Sequence, residues 1–111
     1  MDKNNTLKAF VKELPADNNS YFKILGESET QTKRSGLVTL NSGESIGEHT
    51  TSGNEEMLIV ISGKGEVDIN KNESRFNIEK GKIAYVPPNT IHNVINKSKE
   101  DLKYIYVIAK A

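Results

Sequence analysis

His49 and His92 are the only imidazoles in this 111-residue chain, and each sits inside a spaced set of polar and turn residues. The first set is Gly43, His49, Thr51, Glu56 and Gly63. The second is Gly81, Pro87, Asn89, His92 and Asn96. Imidazole and carboxylate are ligand types that suit zinc, iron, nickel and manganese. Cysteine is absent, so neither a thiol nucleophile nor a disulfide is available. A serine triad would have to draw on the same two histidines. Gly63-Lys64 and Gly81-Lys82 lack the remainder of a phosphate-binding loop. The residue types therefore favour metal chemistry over nucleophilic or phosphate chemistry.

Short strands must position these side chains. The chain reads as brief apolar runs separated by Gly, Asn, Ser and Pro, which predicts an all-β sandwich or barrel. The runs are 21–25, 36–40, 57–61, 66–70, 75–78, 82–86, 91–96 and 102–109. Gly63-Lys64-Gly65 turns the chain, 70–73 is a polar turn, and Pro87-Pro88-Asn89 interrupts the ladder because proline cannot donate to it. Roughly eight strands in this order suit a jelly roll. Residues 6–13 read as one helical turn or a short edge strand, ended by Pro15. The expected organisation is an N-terminal extension over 1–20 and a single barrel over 21–111.

Strand parity orders the candidates. Alternate residues of a strand share a face, so His92, Val94 and Asn96 go together, as do Glu56, Leu58 and Val60. The same parity sends Glu55, the rival carboxylate, to the opposite face.

The two sets resemble the paired motifs of the cupin superfamily. That family's first motif is glycine, five residues, His-x-His, three or four residues, glutamate, six residues, glycine. Here Gly43, His49, Glu56 and Gly63 keep that spacing, and Thr51 stands where the second histidine would. The second motif is glycine, five residues, Pro-x-Gly, two residues, histidine, three residues, asparagine. Gly81, Pro87, His92 and Asn96 match it, and Asn89 replaces the glycine.

The resemblance, which covers residues 35–108, implies a double-stranded β-helix, or jelly-roll barrel, of the small single-domain type. It implies that His49, Glu56 and His92 converge inside the barrel on one divalent transition metal, Fe, Mn, Ni or Zn. Two histidines and one carboxylate are also the ligand content of the facial triad of non-haem iron oxygenases, which leaves positions open. Thr51 could hold a metal-bound water, and Tyr85, Tyr104 and Tyr106 could reach the interior; with Asn96 these are the candidate substrate-binding residues. The implied function is metal-dependent conversion of a small polar molecule, with oxygenation first and isomerase or lyase chemistry next. The alternative is a non-catalytic cupin that binds or senses a small molecule.

Composition bounds the partners. Fifteen basic and fifteen acidic residues leave a formal net charge of zero, which disfavours nucleic-acid binding. No apolar run has the length of a membrane span, and Met1–Thr6 lacks the apolar core of a signal peptide, so a soluble cytoplasmic protein is expected. With a hydrophobic fraction of 35% the core is lean. A homodimer is expected, with Leu7, Phe10, Val11, Tyr21, Phe22 and Ile24 of the N-terminal segment meeting the partner's sheet.

Overall fold

Alternation of apolar and polar residues along short runs produces strands throughout. The computed structural model describes residues 7–17 and 19–111. Nine strands form: β1 Tyr21–Leu25, β2 Lys33–Leu40, β3 His49–Thr50, β4 Asn54–Ser62, β5 Lys64–Ile69, β6 Ser74–Glu79, β7 Ile83–Val86, β8 Ile91–Ile95 and β9 Leu102–Lys110. No helix occurs among the described residues. The expected runs each become a strand. The additional element, β3, has only two residues and no apolar period of its own.

Two antiparallel sheets face each other. One has the order β1-β2-β9-β4-β7, and the other β3-β8-β5-β6. In the five-stranded sheet the even-numbered side chains of β2, β4 and β9 turn inward. Val38, Leu40, Leu58, Val60, Leu102 and Tyr104 meet Val67, Ile78 and Val94 of the other sheet in one buried cluster. Each fully buried aliphatic side chain contributes roughly 1.5–3 kcal/mol relative to exposure.

The turns explain several of the spaced residues. Gly43, Gly63 and Gly81 all have positive φ, between 81° and 88°. Asn89 has φ 56°, in the left-handed region where asparagine is among the most tolerant non-glycine residues. Asparagine in place of the family's glycine therefore preserves the turn that leads into β8.

The N-terminal segment departs from expectation. Residues 7–16 have no regular structure, in place of a helical turn or edge strand, and Thr6 lies outside the described residues. Lys12 ties the segment to the barrel, its Nζ donating to the Ile24 carbonyl and to Glu29, both at 2.6 Å. Leu7–Val11 is followed too soon by Lys12, Glu13 and Pro15 to continue a repeat of either period.

Candidate metal centre

The two histidines form a cross-strand pair. β3 lies antiparallel to β8 with His49 opposite His92. Residues directly opposite in such a pair project to the same face. Their ring centroids are 4.0 Å apart, with the rings tilted by 57°. Glu56 reaches them from the other sheet, where it lies between Val86 of β7 and Ile108 of β9. The ligand atoms of His49, Glu56 and His92 all lie within 4.8 Å of one another.

Burial grades this cluster from mouth to floor. His49 is exposed, Glu56 is 6% exposed and His92 1%. Each ring has a backbone carbonyl two residues upstream. His49 Nδ1 lies 3.0 Å from the Gly47 oxygen, and His92 Nδ1 makes a long 3.5 Å contact with the Thr90 oxygen. With the proton on Nδ1 in each ring, both Nε2 atoms present lone pairs, as metal-binding imidazoles do.

His92 Nε2 is the sharper test of fit. It is buried without a hydrogen-bond partner, 3.4 Å from Glu56 Oε1. A buried polar atom left unsatisfied costs on the order of 1–3 kcal/mol. A divalent ion between His92 Nε2, Glu56 and His49 Nε2 would satisfy it, so these residues fit the implied metal.

The remaining candidates divide. Glu55 points away, and its carboxylate accepts a 2.7 Å bond from the Tyr85 hydroxyl. Tyr85 is 57% exposed on the outer face, so the structure places it away from the cluster. The bond to Glu55 raises its phenol above the ordinary value. Asn96 is fully buried, but its amide donates to the Leu40 and Glu100 carbonyls and its oxygen accepts from Ser98. Its hydrogen bonds hold the turn before β9 and leave nothing for a substrate. The Thr51 hydroxyl donates to the Pro87 carbonyl at 2.7 Å and accepts from the Thr90 amide at 3.0 Å. It thereby ties the loop that carries His92, and the cavity beside the cluster does not include it.

Tyr104 and Tyr106 do face that cavity, which has a volume of about 400 Å³ and reaches His49 and Glu56. Burial, and then the Glu56 carboxylate, push the Tyr104 phenol well above its ordinary value, which keeps it protonated. Tyr21, expected at a subunit contact, also lines the cavity. Its hydroxyl lies 2.8 Å from that of Tyr106. Tyr21 pairs with the inward-facing Val38, a register that becomes visible only once β1 and β2 are paired. Gly47 was missed too. Its positive φ of 102° and its carbonyl on His49 would have been legible only from the loop conformation.

The comparisons agree with this architecture. The cupin domain family matches residues 36–108, and the chain belongs to that family. An RmlC-like cupin of Methanocaldococcus jannaschii with a double-stranded β-helix fold superposes with a TM-score of 0.77 at 24% identity, over 92% of this chain and 91% of that one. A predicted oxalate decarboxylase of Thermotoga maritima gives 0.75 at 22% identity, over 82% and 79%. The cupin domain of Schizosaccharomyces pombe Cnp3 gives 0.73 at 21% identity and covers 82% of this chain, which spans 64% of that one's length. At these identities the likeness is one of fold. No curated protein matches the chain.

Proposed function

We propose that the protein holds one divalent transition metal through His49, Glu56 and His92 and acts on a small molecule in the adjoining cavity. The partnerless, buried Nε2 of His92, aimed at Glu56, carries this reading. Bound there, the ion would supply Lewis acidity or redox chemistry at positions the three side chains leave open. Oxygenation is the leading reaction class, since the ligand content is that of the facial triad; isomerase or lyase chemistry follows. A binding or sensing role is the second reading, favoured by the aliphatic walls that Val38, Ile46, Val94 and Ile108 give the cavity. Protein purified without chelator or affinity tag should contain close to one equivalent of iron, manganese, nickel or zinc by elemental analysis. Protein that contains none and takes up none of the four on titration would overturn the metal site.

We also propose that the protein works as a homodimer in the cytoplasm. β1 is an edge strand paired on one side only, with β2, and Phe10 and Val11 ahead of it are exposed, which leaves the N-terminal segment available to a partner; the outer sheet face offers a second apolar surface. Met57 and Ile59 of β4 stand beside Tyr85 and Ile83 of β7 and beside Val107 and Ile105 of β9. This uncharged grid crosses three strands and leaves Ile83 61% exposed. Identical flat apolar faces can cover one another across a two-fold axis. Light scattering should give a dimer mass at micromolar concentration and a monomer mass for Ile83→Lys. A monomeric parent protein would refute the dimer.

A further inference from the structure

Two cavities open on the inner face of the five-stranded sheet, and Tyr21 and Tyr106 line both. The first reaches His49 and Glu56. The second, of about 650 Å³, is lined also by Lys23, Arg34, Glu27 and Glu29. Strand register relates them. Glu56 of β4, Ile108 of β9 and Arg34 of β2 stand side by side in one row. Leu58, Tyr106, Gly36 and Lys23 form the next inward row, and Val60, Tyr104, Val38 and Tyr21 the one after. Neighbouring strands lie about 4.8 Å apart, so the Cα atoms of Glu56 and Arg34 are about 10 Å from each other.

Gly36 lets the two cavities share one bed. A Cβ at that position would lie 2.6 Å from a ring carbon of each tyrosine, so both rings lie over the bare glycine. The rings stack with centroids 6.4 Å apart and planes inclined by 18°, and their hydroxyls are 2.8 Å apart. One hydroxyl proton is used within the pair, which leaves one donor for a molecule lying across it.

Both ends of this bed favour an anion. Glu29 is engaged on both oxygens, by Lys12 at 2.6 Å and by the Gly26 amide at 2.9 Å. Glu27 is exposed and stands 3.9 Å from Arg34 Nη2, beyond hydrogen-bonding distance. Lys23 forms no ion pair among the described residues. Arg34 Nη1 donates to the Thr30 hydroxyl and the Lys33 carbonyl, which fixes the guanidinium and leaves its other nitrogens as donors. With Lys12 included, three cations face two carboxylates. At the other end, a divalent ion held by Glu56 and two neutral imidazoles keeps a net positive charge. Glu48 also lines the first cavity, but it is exposed, where water and salt screen it.

We propose that the two cavities form one elongated chamber for a dicarboxylate of about six carbons, with one carboxylate at the metal centre, the other held by Lys23 and Arg34, and the chain lying over the Tyr21–Tyr106 pair. The assignment rests on the reading of His49, Glu56 and His92 as a metal centre. It adds the ligand class and the residues that set its length.

Adipate and hexanoate share a six-carbon chain and differ only in the second carboxylate, so their difference isolates the Lys23–Arg34 end. Calorimetric titration of zinc-loaded protein should show adipate binding at least about tenfold more tightly than hexanoate. The double variant Lys23→Gln, Arg34→Gln should reduce adipate to the affinity of hexanoate and leave hexanoate unchanged. Lys23→Gln alone alters an exposed side chain and should weaken adipate severalfold, which keeps the test open should the double variant fail to fold. Equal affinity for the two acids, no adipate binding at millimolar concentration, or variants that bind adipate like the parent would each overturn the proposal. Zinc uptake separates the two readings. Protein that takes up no zinc, yet binds adipate in a manner lost with Lys23→Gln, removes the metal centre and keeps the anion site. Protein that takes up zinc and binds adipate no better than hexanoate removes the anion site alone.

Discussion

His92→Ala is expected to abolish metal uptake. His92 is the floor of the cluster, 1% exposed, and its Nε2 has no hydrogen-bond partner. Removing it deletes one of three protein donors and leaves the buried Glu56 carboxylate facing a void. Even substitutions outside the ligand set of a metal site cost roughly 10–100-fold in affinity, so loss of a ligand should exceed that range. Calorimetric titration with zinc or nickel, beside elemental analysis of the purified variant, measures the effect. His92→Gln keeps much of the volume and should lose uptake as well, which separates loss of a ligand from loss of packing. The competing account is a buried His92–Glu56 ion pair with no metal, since the two atoms lie 3.4 Å apart. That account predicts a less stable variant whose metal content equals the parent's, and such a result would remove His92 from the ligand set.

The contrast between His49 and His92 shows how much of this centre could be read from the sequence. His92 lies in a run whose alternation assigns its face, and Val94, on the same face, is 1% exposed. Parity also separated Glu56 from Glu55, and these two do lie on opposite faces of β4. His49 sits on a two-residue strand. Its position opposite His92 depends on a long-range pairing between β3 and β8 that no local period encodes. The tyrosines divide for a similar reason. Tyr104 and Tyr106 share the inward parity of β9, whereas Tyr85 on β7 has the opposite parity and meets Glu55 outside. Register between strands decides that outcome, and register becomes visible only once the sheets are paired. Thr51 and Asn96 occupy motif positions, yet their hydrogen bonds fasten the two turns that flank β8. A motif records that a side chain of that type is needed at a position, whether it binds a ligand or holds the loop in place.

Gly63→Ala is expected to be the most destabilising of the motif-glycine substitutions. Gly63 has φ 81°, in the left-handed region, which costs an alanine roughly 1–2 kcal/mol. Its position adds a steric cost. An added Cβ would lie 2.1 Å from the Asp101 carbonyl oxygen and 3.0 Å from Leu102 Cα, both backbone atoms at the start of β9. Overpacking against a close-packed interior typically costs 1–3 kcal/mol, and backbone yields less readily than a side chain. The two terms together reach about 2–5 kcal/mol, a large share of the roughly 5–15 kcal/mol that holds a domain folded. At about 4–8 °C per kcal/mol for a chain near this size, the unfolding midpoint should fall by about eight degrees or more. Gly81→Ala is the internal control. Its φ is 88°, and a Cβ there meets nothing within 4 Å, so only the conformational cost applies. The effect of Gly63→Ala should also reach the metal centre. The turn at Gly63 starts β5, and β5 sets the register of β8 by pairing Val67 with Val94 and Ile69 with His92. Thermal unfolding by circular dichroism, with metal titration of whichever variant folds, measures both effects. Equal midpoints for the two alanine variants would mean that the close approach of Gly63 to β9 does not exist in solution.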